Sequence, residues 1–112
     1  MSRNTAVFDS LRSLGFAGIS GTYAPVGSAF QHITRVICFT NLTDADILVS
    51  NYNLVDNLII PAGGFKLFDL NTNRSENNTF WSLPIGTHIY IKTDGTATSG
   101  SFYVECLYAQ GD

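Results

Sequence analysis

Punctuation constrains the fold of this chain more than any other feature. Apolar runs of strand length are cut at short intervals by turn formers: Asn51-Tyr52-Asn53, Pro61-Ala62-Gly63-Gly64, Asn71-Thr72-Asn73, Pro84-Ile85-Gly86 and Asp94-Gly95. The runs between them are rich in β-branched and aromatic residues, and this spacing suits a compact antiparallel β-sandwich. The central stretch 39–50 shows the grammar best. Residues 40–44, Thr-Asn-Leu-Thr-Asp, carry side chains that hydrogen-bond their own backbone and turn the chain between two strand-like runs.

Alternation then assigns faces. Ala45, Ile47 and Val49 fall on one side of their strand, opposite Asp46, Leu48 and Ser50. In 87–93 Ile89 and Ile91 point inward, against His88, Tyr90 and Lys92. In 101–109 Phe102, Val104, Cys106 and Tyr108 share a face, and so apolar a strand belongs in the middle of a sheet rather than at an exposed edge. Residues 32–39 form the first strong strand. If Val36 and Cys38 face the core there, then Ile33, Arg35, Ile37 and Phe39 form a second face too apolar for open water, which lies under another layer or in an interface. The run 54–60 is expected to pair with 65–70 across the Pro-Ala-Gly-Gly turn, and 19–30, interrupted by Pro25, supplies only an edge strand. The polar stretch 71–78 reads as an exposed loop, followed by Phe80 and Trp81 on opposite faces. About seven or eight strands result, a number that fits a jelly-roll-like sandwich.

The first residues read differently. Val7, Phe8, Leu11, Leu14 and Phe16 recur at offsets near three and four, Asp9 or Ser10 can cap, and Gly15 with Gly18 stops the run. The spacing predicts a short N-terminal helix, or an arm that leaves the domain and packs on a neighbouring subunit. The division expected is 1–18 as the arm and 19–112 as the β-sandwich domain.

Composition bears on partners. Charged residues make up 13% of the chain against roughly 25% in an average soluble domain, while hydrophobic residues reach 45%, with 8 Phe, 5 Tyr and 1 Trp. So little charge implies that part of the surface is covered by other subunits, and the chain is expected to form a homo-oligomer. A net charge of -3 with six scattered basic residues argues against direct nucleic-acid or membrane-surface binding. No apolar run has the roughly 18 residues of a membrane span, and no apolar leader-like stretch follows Met1. Synthesis in a cytoplasm is therefore expected, with Cys38 and Cys106 as reduced thiols and the triplets beginning at Asn41, Asn73 and Asn77 unmodified.

No reaction centre is legible. His32 and His88 are set in strands, no Gly-x-Ser-x-Gly elbow occurs, and Cys106 and His88 are predicted on opposing faces. Asp44, Asp46 and Asp56 lie near turns without the spacing of a calcium loop, and no Cys or His pairing has zinc spacing. The reading is a non-enzyme without cofactor. Among binding functions, Trp81, Tyr52 or Tyr90 beside Asn and Asp offers a sugar-stacking surface.

At Phe39-Thr-Asn-Leu-Thr-Asp-Ala-Asp-Ile-Leu-Val-Ser50, Leu58-Ile-Ile-Pro-Ala-Gly63, Phe68-Asp-Leu-Asn-Thr-Asn73, Pro84-Ile-Gly-Thr-His-Ile-Tyr-Ile-Lys92 and Ser99-Gly-Ser-Phe-Tyr-Val104, the chain resembles a group of small virion proteins of tailed bacteriophages. The likeness covers 23–109. It departs after Ser50, where the family often continues Asp-Gly and this chain has Asn51-Tyr52-Asn53. The resemblance implies a structural virion protein, made in the cytoplasm of a bacterial host. It would assemble as a symmetric oligomer at the head–tail connection, in the collar or neck, against portal, adaptor or major capsid protein. The alternatives are a capsid decoration protein or a carbohydrate-binding module on the virion surface. The subunit contact is expected from Phe8, Leu11, Leu14 and Phe16, with Arg35, Trp81 and Tyr90 as further interface residues.

Overall fold

The computed structural model describes residues 4–52, 54–70 and 82–111. The strands are β1 (Asn4–Phe8), β2 (Arg12–Gly15), β3 (Ala24–Pro25), β4 (Thr34–Asn41), β5 (Asp46–Ser50), β6 (Leu58–Ile60), β7 (Phe65–Asp69), β8 (Tyr90–Asp94) and β9 (Ser101–Gly111), with one 3-10 turn at Phe16–Gly18. They form two antiparallel sheets. The first runs β1-β9-β4-β7, with β2 also on β9, and the second runs β3-β8-β5-β6. The protein is an all-β sandwich whose core lies between the sheets.

Alternation supplies that core. Ile37 and Phe39 of β4 and Phe102, Val104 and Cys106 of β9 face Ile47 and Val49 of β5, Ile60 of β6 and Ile91 of β8, all buried, and Val26 and Phe30 close one side. Each such side chain contributes on the order of 1.5–3 kcal/mol relative to its exposed state. The inward sets expected for β5 and β8 are those observed, as are Phe102, Val104 and Cys106 of β9, while Tyr108 is half-buried outside the core. β9 lies inside its sheet, between β4 and the β1/β2 edge, and β3 with Pro25 lies at a sheet margin.

Three sequence expectations are corrected. The N-terminal helix does not form: β1 pairs with β9 from Asn4↔Gly111 to Phe8↔Leu107, and β2 continues from Arg12↔Val104 to Gly15↔Ser101. An 11-residue β9 would otherwise present a bare edge, and a segment with Thr5, Val7, Phe8 and Ser10 has too little helical preference to compete with that ladder. Second, β4 faces the opposite way, with Ile37 and Phe39 inward and Val36 and Cys38 outward. A bulge between Thr34 and Val36 shifts the register, which lets Thr34 and Ile37 both be buried. Third, 54–60 and 65–70 are not partners: β6 pairs with β5 in the second sheet and β7 with β4 in the first. The turn at 61–64, closed by Gly64 N–H donating to Pro61 O at 2.8 Å with Gly63 at φ +74°, carries the chain between sheets. The expected loop 71–78, with Phe80 and Trp81, lies outside the described residues.

Two buried polar devices hold the layers together. Asn41, fully buried where the chain leaves the first sheet, donates through Nδ2 to Ala45 O (2.8 Å) and Ile60 O (2.9 Å). Its Oδ1 accepts from Thr43 N–H (2.9 Å) and Thr43 Oγ1 (2.6 Å), so both amide ends are satisfied without water. Arg12, 6% exposed, ion-pairs with Asp9 at 3.0 Å, donates to Ser28 O (3.0 Å) and Ala29 O (3.4 Å), and stacks 4.6 Å above the Phe30 ring. It ties the β3–β4 link to the sheet edge. Burial pushes the Asp9 carboxyl up, but the bonds from Arg12 and the Ser10 N–H outweigh this and leave it below the usual range.

Candidate functional site

Because alternate residues of β4 and β9 fill the core, the intervening ones form the outer face of the first sheet. The register sets them in rows. Phe8, Leu107, Val36 and Asp69 lie across β1, β9, β4 and β7; Glu105, Cys38 and Leu67 form the next row; Ser13, Tyr103, Thr40 and Phe65 form the third. Phe8 is 86% exposed, Phe65 68% and Leu67 59%. Phe8, Val36, Cys38, Leu67, Glu105 and Leu107, with the buried Cys106 beneath, surround a concavity of about 180 Å³. Among the described residues Glu105 is its single carboxylate, and it has no ion-pair partner there.

The outer face of the second sheet is of different character. Lys92 Nζ lies 3.2 Å from Asp56 Oδ1 and 4.8 Å above the Tyr23 ring, whose hydroxyl donates to the same carboxylate oxygen at 2.5 Å. Partial burial, then Asp56, raises the Tyr23 phenol, while the Tyr23 bond and then Lys92 lower the Asp56 carboxyl. These groups satisfy one another and fasten the β5–β6 loop to the sheet.

The residues expected at a subunit contact separate in space. Phe8 belongs to the apolar face, and Leu11 is exposed in the link from β1 to β2. Leu14 turns inward and packs on the core, while Phe16 is 40% exposed in the 3-10 turn. Arg35 is half-buried on β4, Tyr90 is half-buried on the second sheet, and Trp81 lies outside the described residues. Of the sugar-stacking candidates, Tyr52 is exposed in the loop after β5. The sequence reading missed Phe65, Leu67, Cys38, Leu107 and Glu105 as one surface. Its only available signal was the apolar alternate set in β7, which becomes an outer face once β7 pairs with β4.

Groups with chemical potential are engaged structurally or kept apart, except His88, whose buried Nδ1 has no hydrogen-bond partner among the described residues. Asp44 accepts from Thr98 N–H (2.7 Å), Ser99 N–H (3.3 Å) and the Thr98 hydroxyl, and these bonds, the hydroxyl's first, hold its carboxyl below the usual range. Asp46 accepts from Ala62 N–H at 3.0 Å. His32 stacks on Tyr108 with ring centroids 3.7 Å apart, and His88 lies against Tyr90 at 5.7 Å. Cys38 and Cys106 are free thiols on opposite faces of one sheet, and burial pushes the Cys106 thiol up to about 11. Among the described residues no group of three or more His, Cys, Asp or Glu could hold a metal ion, and no helix is long and apolar enough to cross a membrane. A second concavity of about 180 Å³, at the mouth between the sheets, is lined by core residues such as Phe39, Phe68 and Leu83 with Asn51 and Asn57, and its described lining contains no nucleophile or base. No protein-family model and no curated protein matches the sequence.

Proposed function

We propose that this chain is a non-enzymatic structural subunit of a tailed-phage virion, a symmetric homo-oligomer at the head–tail connection. The observation that carries the assembly half of this reading is the outer face of the first sheet. Contiguous apolar surface beyond a few hundred Å² marks an interaction site, and Phe8, Phe65 and Leu67 alone expose an area of that order. The outer face of the other sheet combines the Lys92–Asp56–Tyr23 cluster with Leu48 and an exposed Ile59. The placement in a particle rests on the turn and strand motifs of 39–50, 58–63, 84–92 and 99–104. It is also supported by strand order. With β1 and β2 taken as one interrupted strand, the sheets among the described residues become two sets of four, ordered 1-9-4-7 and 3-8-5-6. We read this as a jelly roll, an architecture used by capsid subunits and also by lectins.

Cys38 supplies a built-in test. It sits half-exposed in the middle row of the face, while Cys106 is buried with a raised pKa. Dilute subunits should be alkylated at Cys38 and spared at Cys106, and Cys38 should become protected as concentration drives assembly measured by light scattering. Mass spectrometry of purified particles should find the chain among their proteins. A monomer at millimolar concentration with Cys38 equally reactive throughout, absent from any particle, would refute the proposal.

A further inference from the structure

We infer that the partner seated on the apolar face is a second copy of this chain, related by a two-fold axis, with Phe65 of each copy entering the concavity of the other. The inference deepens the assembly reading and rests on it. Projection and depression occur on one surface. Phe65 stands two residues from Leu67 on β7, about 7 Å along the strand, and Leu67 lines the concavity. An axis passing between them superposes each ring on the other copy's depression, which is the condition for an isologous contact. The concavity is open to solvent and measures about 180 Å³, of the same order as the roughly 150 Å³ enclosed cavity that accepts benzene.

Charge agrees as well. Glu105 on the concavity and Lys66, next to Phe65, are the carboxylate and ammonium without an ion-pair partner among the described residues flanking this surface. Lys66 points to the opposite face of β7 from Phe65, so it meets Glu105 of the other copy only around the sheet edge. Lys66 is half-buried at the sheet margin, and its flexible stem can carry the ammonium around the edge of β7. Phe8, Phe65 and Leu67 together expose about 400 Å², roughly half of what each partner of a standard interface buries, and Val36, Cys38, Tyr103 and Leu107 supply more. An isologous contact is closed after two copies. A ring that contains it has dihedral rather than cyclic symmetry.

The test uses the full chain. Sedimentation equilibrium should give a dimer that Phe65→Ala weakens at least tenfold. Glu105→Lys and Lys66→Glu should each weaken it about tenfold, and the two together in one chain should restore it to within about threefold. Mild oxidation should join Cys38 of one copy to a cysteine placed at Thr40 of the other, because the axis carries the Leu67 row onto the Phe65 row, and the covalent product should stop at two chains. Assembly unaffected by Phe65→Ala, without charge-swap rescue or self-cross-linking, overturns this inference and leaves the assembly reading standing. A chain monomeric at millimolar concentration overturns both. Should Phe65→Ala fail to fold, the charge pair, outside the core, still decides.

Discussion

Asn41→Ala tests the claim that a side chain, rather than backbone pairing, holds the corner where the chain passes from one sheet to the other. Asn41 is fully buried and makes four side-chain hydrogen bonds, two donated to Ala45 O and Ile60 O and two accepted from Thr43. At about 1 kcal/mol net for each bond, truncation should cost about 4 kcal/mol, a large part of the 5–15 kcal/mol typical of a domain. At about 4 °C per kcal/mol for a chain of this size, thermal melts followed by circular dichroism should shift down by about 15 °C. Thr43→Val removes the hydroxyl that bridges Asn41 Oδ1 and Ala45 O, and should cost about 2 kcal/mol. Because the two residues share bonds, the double variant should lose less than the sum, with a coupling of about 1 kcal/mol. Asn41→Asp, isosteric, puts a carboxylate against two carbonyl oxygens and should be less stable than the alanine variant at pH 7. Its folded-state pKa would be raised, so the deficit should shrink as pH falls and return as pH rises through that value. A melting point for Asn41→Ala within about 3 °C of the parent would refute the reasoning, because the ladders alone would then suffice.

Other outcomes follow from the same contacts. Gly100 has φ +84° and a Cβ there would lie on the Leu42 carbonyl, whereas Gly63, φ +74°, faces open space. Gly63→Ala should therefore cost about 1 kcal/mol by urea denaturation, and Gly100→Ala several times more or fail to fold. The Asp44 carboxyl is held below its ordinary 3.8 by Thr98 and Ser99, so its contribution is present above that pH and lost as pH falls through the lower folded-state value. Amide exchange at Thr98 and Ser99 should accelerate at the acid end, and Asp44→Asn should remove that pH dependence. Deleting 1–15 strips β1, β2 and the Arg12 clamp from β9, and should yield aggregated rather than soluble protein by size-exclusion chromatography.

The face that carries the functional reading was only partly legible. Phe8 was identified as an exposed contact residue, but for helical reasons that the pairing with β9 replaces. Phe65 and Leu67 were readable as an alternate set, yet in Phe65-Lys-Leu-Phe-Asp69 each set mixes apolar and charged residues, and only pairing with β4 assigns Phe68 to the core and its neighbours outward. Arg12, one of six scattered basic residues in the sequence, is an internal clamp because the fold brings the carbonyls of Ser28 and Ala29 to it.

Strand class and the inward sets of β5 and β8 follow from the sequence by itself, because alternation with polar residues on one side leaves a single way to face an apolar core. Pro25 marks an edge for an equally local reason, the missing N–H. Only the tertiary structure decided which face of β4 is buried, which sheet receives β6 and β7, and whether residues 4–15 coil or extend. In those places both faces are apolar or the local preference is weak, and the choice is made by bonds to strands distant in the chain: the free edge of β9, the bulge after Thr34, and the second sheet that covers Ile37 and Phe39.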